Sequence, residues 1–97
     1  MKRVYLKSFA SGRRSRDEVK AFLHTYPEAR IHGIDVEGCP EWCAEAFDDM
    51  TYVKNIAPDV VWEHGSPQYI NEHPENRQAY AWTIQHLMEE YLADGYD

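Results

Sequence analysis

The chain has 97 residues and a formal net charge of −7, with 43% hydrophobic and 13% aromatic residues. This length predicts one domain, 1–97, and the apolar content excludes an intrinsically disordered chain. No run of about 18 apolar residues occurs, so we expect no membrane-spanning segment. Because the chain has no apolar leader and only two cysteines, we expect a cytoplasmic protein with reduced thiols.

Charge is separated along the sequence. Residues 1–30 hold eight of the ten Lys and Arg against three acids, a local charge of +5. Residues 31–97 hold fourteen Asp and Glu against two bases, a local charge of −12. Such separation concerns partners and solubility rather than fold, and it indicates a specialised surface.

The first third of the chain predicts a strand, a helix and a second strand. Alternating β-forming residues cover 3–10 and again 30–36. Between them, Ser15 and Glu18 have the spacing of a capping box, in which each side chain satisfies the other residue's backbone N–H. Apolar residues at helical spacing follow until Pro27 ends the helix.

Further elements are predicted from proline positions, apolar spacing and short β-forming runs. They are a helix over 40–50, strands over 51–56 and 59–63, a short edge segment over 68–70, and a last helix from Pro74 to Gly95. The residues predicted for the buried face of the last helix are Tyr80, Ile84, Leu87, Met88 and Tyr91. The order β-α-β-α-β-β-α predicts an α/β or α+β domain, with a three- to four-stranded sheet and about three packed helices.

An acidic stripe on the helix predicted over 40–50 is the first candidate site. Its charges span about 12 Å of helix, one per roughly 3 Å, which is close to the phosphate spacing on one strand of B-DNA. The stripe can therefore occupy the nucleic-acid groove of a basic partner protein, and the alternative is an ordinary solvated helix face. Its residues are Glu41, Glu45, Asp48 and Asp49.

Trp82 is predicted to be an aromatic anchor beside this acidic surface. It falls on the polar side of the last helix, about 160° from the buried face, near His86 and Glu89. An exposed Trp among polar residues is typical of interface hot spots. We expect these three residues to bind a partner, and the alternative is that Trp82 packs against a neighbouring loop.

The basic loop Gly12–Arg16 is a candidate anion site. Arg13, Arg14 and Arg16 follow a strand and lead into a helix N-terminus, where free N–H groups and the helix dipole favour phosphate. The loop matches neither the P-loop nor the dinucleotide fingerprint. The alternative is a solvated turn whose arginines pair with the protein's own acids.

Cys39 and Cys43 give a third alternative, a thiol-redox or zinc protein. Their C-x3-C spacing differs from the C-x-x-C of redox and zinc motifs, and a zinc site requires two further ligands. The alternative is that both are buried, inert thiols. We predict no catalytic residue, no metal ligand and no cofactor.

The leading hypothesis is an inhibitor or regulator, not an enzyme, that docks its acidic, aromatic surface onto a basic nucleic-acid-binding protein without binding nucleic acid itself. In size and charge the chain is similar to the small anti-restriction and anti-CRISPR proteins of phages and mobile elements, which implies a DNA-mimic inhibitor. The second hypothesis is a phosphate- or nucleotide-binding domain, or a small enzyme, that uses the loop Gly12–Arg16. The thiol or zinc protein is the third.

Overall fold

The computed structural model describes residues 2–97, which form a mixed α/β domain as predicted. Its three parallel strands are β1 (Val4–Ser8), β2 (Arg30–Asp35) and β3 (Asp49–Tyr52), in the spatial order β1-β2-β3. The helices of the described residues are α1 (Ser15–Thr25), α2 (Trp42–Ala46), α3 (Val53–Ile56), α4 (Pro67–Glu72) and α5 (Pro74–Ala93).

β2 is the central strand, and helices cover both faces of the sheet. Val4 lies beside Arg30 in the β1–β2 register, and β3 follows in parallel on the other side of β2. Every residue of β2 after Arg30 is buried, as expected for a strand between two layers of helices. The domain therefore has three layers, with α1 and α2 on one face and α4 and α5 on the other.

Each face has its own apolar core. On the α1 face, Ile31 of β2 is clustered with Val19 and Phe47. On the α5 face, Ile34 is clustered with Tyr80 and Leu87. Consecutive side chains of β2 point to opposite faces, so one strand supplies both cores.

The capping box predicted for α1 is wrong. Ser15 is the first residue of α1, the N-cap position belongs to Arg14, and no side chain caps the helix. The tight turn after β1 explains this, because the backbone N–H of Ser15 donates to the carbonyl of Gly12 (3.1 Å). Glu18 instead forms an ion pair with Lys7 of β1 at 2.6 Å, which fastens α1 to the sheet.

The helix predicted over 40–50 is wrong in extent, because α2 ends at Ala46 and Asp49 already belongs to β3. The backbone N–H of Asp48 donates to the carbonyl of Ile31 (2.8 Å), so pairing with β2 prevails over helical periodicity. The strand predicted over 51–56 is confirmed for residues 51–52, which belong to β3, and is wrong for the rest; the strand predicted over 59–63 and the edge segment over 68–70 are wrong. Residues 53–56 form α3, residues 59–63 are not a strand, and residues 68–70 lie in α4.

The last helix is confirmed, and Gly95 follows it with a positive φ of 86°. Tyr80 and Leu87 are buried as predicted, but Met88 is 50% exposed. Although α5 has 20 residues, no helix among residues 2–97 is long and apolar enough to cross a membrane.

Cys39 and Cys43 form a disulfide, so the expectation of reduced thiols is wrong. The bond joins the residues just before α2 to the first turn of α2. Cys43 is buried in the α1-side core, which agrees with its apolar position in the sequence.

Candidate functional site

The turn after β1 has a strained backbone at the carboxyl edge of the sheet, the edge at which open α/β folds bind ligands. Phe9 has a φ of 53°, in the left-handed region that bulky residues rarely adopt. The N–H of Gly12 donates to the carbonyl of Phe9 (2.8 Å), and a Cβ at Gly12 would lie 2.9 Å from that oxygen. Only glycine fits this turn, and strain of this kind concentrates at functional sites.

Tyr80 of α5 holds this strained turn in place. Its hydroxyl accepts a hydrogen bond from the N–H of Phe9 (2.8 Å) and donates one to the carbonyl of Ile34 (3.0 Å). Its ring stacks on Phe9, with 4.9 Å between ring centroids. Burial raises the pKa of Tyr80, so the hydroxyl keeps the proton that it donates.

Asp35, at the carboxyl end of β2, connects the turn to the sheet. It is only 6% exposed. Its Oδ2 accepts hydrogen bonds from the N–H of Ser11 (2.8 Å) and from the Ser11 hydroxyl, while Oδ1 accepts one from the N–H of Val36 (2.8 Å). A carboxylate has about four acceptor positions. Oδ1 therefore keeps one that a ligand can use.

A cavity of about 380 Å³ adjoins Asp35, within the usual size range of small-molecule sites. Trp62 lines it, is nine-tenths buried, and has no hydrogen-bond partner for its indole Nε1–H. An unsatisfied buried donor is unfavourable by about 1–3 kcal/mol, and this nitrogen is itself buried from solvent. The cavity is also lined by the side chains of Ser11, Glu37, Glu63 and His64.

The predicted basic loop is only partly at this site. Arg13 and Arg14 are exposed and follow Ser11 in the turn before α1. Arg16 instead faces α2, where its guanidinium lies 3.9 Å from the carboxylate of Glu45 and 5.7 Å from the ring centroid of Trp42. Arg13 and Arg14 therefore lie within three residues of Ser11, which lines the cavity, but they do not line it themselves.

The structure does not bring the four acids of the predicted stripe onto one helix face. Glu45 alone lies in α2, Glu41 precedes it, and the Asp48 carboxylate accepts a hydrogen bond from the backbone of β2 (2.7 Å). Asp49 lies in β3 and pairs with Arg30 at 2.6 Å, which lowers the pKa of Asp49. The DNA-like charge spacing is therefore wrong, while partner binding by these residues stays a prediction.

Trp82 lies on the outer side of α5 with 55% of its surface exposed, as the helical spacing predicts. Its ring stacks on His86, with 4.8 Å between centroids, and His86 lies 3.0 Å from the carboxylate of Glu90. Glu89 accepts a hydrogen bond from Gln85 on the same helix (3.2 Å). The predicted trio Trp82, His86 and Glu89 therefore shares one exposed helix surface.

A second polar cluster lies at the opposite, amino edge of the sheet. Nδ1 of His32 lies 2.7 Å from the hydroxyl of Tyr91, and its Nε2 lies 2.6 Å from the hydroxyl of Thr51. Burial lowers the pKa of His32 and raises that of Tyr91. Because both ring nitrogens of His32 have protein partners, this cluster joins α5 to the sheet.

Residues 2–97 contain no group of three or more His, Cys, Asp or Glu arranged to hold a metal ion. The disulfide also occupies the two thiols of the predicted thiol or zinc site. Comparison with protein-family models, curated proteins and solved structures finds no match to this chain.

Sequence reasoning missed Asp35, Trp62 and Tyr80. A usable signal existed for Asp35, because it ends a strand about 20 residues after the glycine of a strand–turn–helix, where dinucleotide-binding folds place a ribose-binding acid. No comparable signal existed for Trp62 and Tyr80, which reach the site from later parts of the chain.

Proposed function

We propose that the protein binds a nucleoside or nucleotide at the carboxyl edge of its sheet. The observation that carries the proposal is the position of Asp35, which ends β2 beside both the β1–α1 turn and the cavity. In doubly wound folds of strand order 3-2-1, the first turn receives phosphate and an acid at this position accepts a ribose hydroxyl. The order β1-β2-β3 and the turn before α1 correspond to that arrangement.

The charge of the cavity favours the sugar over the phosphate. Asp35, Glu37 and Glu63 line it with carboxylates, which accept hydrogen bonds from hydroxyls and repel anions. Trp62 supplies an aromatic ring to the wall of the cavity beside them. The exposed Arg13 and Arg14 lie before the N-terminus of α1, where a phosphate would receive charge-assisted hydrogen bonds. The nucleoside would therefore lie in the cavity, with its phosphate towards the turn.

The first experiment measures thermal stabilisation and calorimetric binding by adenosine and AMP. Both ligands raise the melting temperature of the wild-type protein, because a ligand that binds only the folded state stabilises it by mass action. Trp62→Phe replaces the indole in the wall of the cavity with a smaller ring, so it weakens binding of both ligands. The matched control, Trp82→Phe, changes an exposed indole on α5 and keeps wild-type binding. Absence of binding by the wild type, or equal loss in both variants, contradicts the proposal.

The second experiment separates the phosphate contact from the nucleoside contact. Replacing Arg13 and Arg14 by Ala lowers affinity for AMP but leaves affinity for adenosine unchanged, because only AMP carries the anion. The double variant Lys20→Ala/Arg77→Ala, which removes two exposed cations outside the turn, is the control for net charge. If the Arg13→Ala/Arg14→Ala variant and the control lower AMP affinity equally, the contribution of the turn is refuted.

A second candidate function is the acidic protein-interaction module expected from the sequence. The observation that favours it is the exposed Trp82, stacked on His86 beside Glu89 and Glu90. A synthetic arginine-rich peptide is a suitable probe of such a surface. We expect quenching of Trp82 fluorescence, weaker binding at higher salt, and loss of binding in Glu89→Lys. The control Glu72→Lys reverses an exposed acid on α4; an equal effect of both reversals refutes a specific surface.

A further inference from the structure

One edge of β1 has main-chain groups without a strand partner. The N–H of Arg30 donates to the carbonyl of Arg3 (2.9 Å), so the odd-numbered residues of β1 face β2. The main-chain groups of Val4, Leu6 and Ser8 therefore face outwards. Val4 donates to the carbonyl of Asp97 (3.3 Å), but no strand among residues 2–97 pairs with the outward groups of Leu6 and Ser8.

The first position of this edge already shows how a strand binds there. Tyr96 forms a parallel bridge with Lys2, and the N–H of Asp97 donates to the carbonyl of Lys2 (2.8 Å). The direction of this pairing is the same as that of the three-stranded sheet. The outward groups of Leu6 and Ser8 continue the same hydrogen-bond pattern along the edge.

An apolar groove runs beside the unpaired edge. It has a volume of about 320 Å³, and its walls include Leu6 of β1 together with Ile84, Met88 and Leu92 of α5. Met88 is 50% exposed and Leu92 is 63% exposed. These exposed apolar side chains adjoin one another, so they form one continuous apolar surface rather than isolated exposed residues.

We propose that this groove, with the outer edge of β1, binds an extended apolar strand of a partner protein, parallel to β1. Main-chain hydrogen bonds to Leu6 and Ser8 hold the strand, and alternate apolar side chains enter the groove along α5. This is strand addition to an open sheet edge, in which the backbone supplies affinity and the side-chain pockets supply selectivity. The site is separate from the nucleoside cavity and does not depend on it.

A second copy of this chain fits the edge less well than a partner strand. Two β1 edges related by a two-fold axis run antiparallel, so Val4 of one copy lies opposite Ser8 of the other when Leu6 is at the centre. Asp97 already accepts the hydrogen bond that Val4 would need for this pairing. The parallel direction of the Lys2–Tyr96 bridge also differs from the direction of such a pair.

The probe is a capped synthetic peptide of alternating Val and Thr, of about five residues, the usual length of a strand. Heteronuclear NMR of the full chain, with and without peptide, reports binding through the amides of Leu6 and Ser8. We expect these two amides to shift and to become protected from hydrogen exchange. A paramagnetic tag at the peptide's N-terminus broadens Tyr96 and Asp97, whereas a tag at its C-terminus broadens Ser8 and Phe9.

Met88→Asp tests the groove without disturbing the core, because Met88 is half exposed. It lowers peptide affinity by about tenfold or more, since it places a charge where an apolar side chain would be buried. The matched control is Val61→Asp, an equally drastic change at a 74% exposed position outside the groove. A peptide with proline at its centre, which cannot complete the ladder, binds weakly to the wild type.

Three results overturn the proposal. The first is an absence of shifts and protection at Leu6 and Ser8 at saturating peptide. The second is the reversed pattern of broadening by the two tags, which indicates antiparallel binding. The third is a concentration-dependent dimer in sedimentation experiments that protects the same amides without peptide, because the occupant of the edge is then a second copy.

Discussion

Removal of one hydroxyl, in Tyr80→Phe, tests how the candidate site is held together. The hydroxyl makes two hydrogen bonds, with the N–H of Phe9 and the carbonyl of Ile34, and Tyr80 is only 4% exposed. Each hydrogen bond contributes about 1 kcal/mol net, and leaving a buried partner unpaired adds to the loss. We therefore expect the free energy of unfolding to fall by about 2–3 kcal/mol, which lowers Tm by about 10–20 °C in a domain of this size.

The assay is urea denaturation followed by tryptophan fluorescence, with calorimetry for Tm. The matched control is Tyr5→Phe, because Tyr5 is a half-buried residue of β1 whose ring packs on Phe22 at 4.6 Å. We expect this control to change stability by less than about 0.5 kcal/mol. Tyr80→Phe also weakens AMP binding, since the turn that holds Ser11 against Asp35 loses its support. If the two variants are equally stable, Tyr80 does not hold the turn and the reasoning is refuted.

Three further predictions concern the sheet and the disulfide. Burial lowers the pKa of His32 below 6.5, so the unfolded state binds more protons than the folded state near that pH. The free energy of unfolding therefore falls as the pH drops from about 7 through 6.5. The urea midpoint falls less over the same pH range in His32→Gln. Identical pH profiles for the two proteins contradict this. Gly33→Ala places a new Cβ 2.9 Å from the Cβ of Ala10, so we expect urea denaturation to show a loss of about 1–3 kcal/mol in the free energy of unfolding. An unchanged urea midpoint would show that the core relaxes around the added methyl group at little cost. Cys39→Ser removes the disulfide with Cys43, which closes a loop between residues four apart, and lowers the free energy of unfolding by about 2 kcal/mol. A reductant then has no further effect on stability. A reductant effect that persists in the variant contradicts this role of the disulfide.

The elements predicted correctly are those whose signal is local. The strands over 3–10 and 30–36, the helix after Ser15 and the last helix each have a periodic pattern and a proline or glycine near an end. The region after Cys39 was predicted poorly because its structure depends on contacts with β2. Asp48 hydrogen-bonds to Ile31, distant in sequence, and that contact turns the chain from α2 into β3.

Residues 59–63 show why a strand-like pattern is insufficient. Trp62 is buried and the preceding Val61 is 74% exposed, so the alternation typical of a strand is present. No sheet edge pairs with this segment, however, and its hydrogen bonds are made with the carbonyl of Ala57 and with side chains. The carbonyl of Val61 accepts a hydrogen bond from the amide of Asn76 in α5 (2.8 Å). The alternating sequence pattern therefore predicted the burial of these side chains correctly, but the strand pairing that it predicted does not form.

The candidate site was predictable only in part. The turn after a first strand, followed by a helix, indicated an anion site, and Arg13 and Arg14 lie there. Asp35 was within reach of the spacing rule for ribose-binding acids. Trp62 and Tyr80 come from segments that are brought to the turn only in the folded domain. The pattern of a single sequence does not show which distant segments come into contact.

Two ion pairs join the basic first 30 residues to the acidic remainder of the chain in the folded protein. Arg16 pairs with Glu45, and Arg30 pairs with Asp49, so bases of the first 30 residues neutralise acids of the later segment. Arg13 and Arg14 remain exposed in the turn that Ser11 joins to Asp35. A ligand that is anionic at one end and rich in hydroxyls at the other matches arginines followed by a carboxylate-lined cavity. The salt dependence of AMP binding should therefore exceed that of adenosine binding, because only the phosphate interacts with exposed, screened charges.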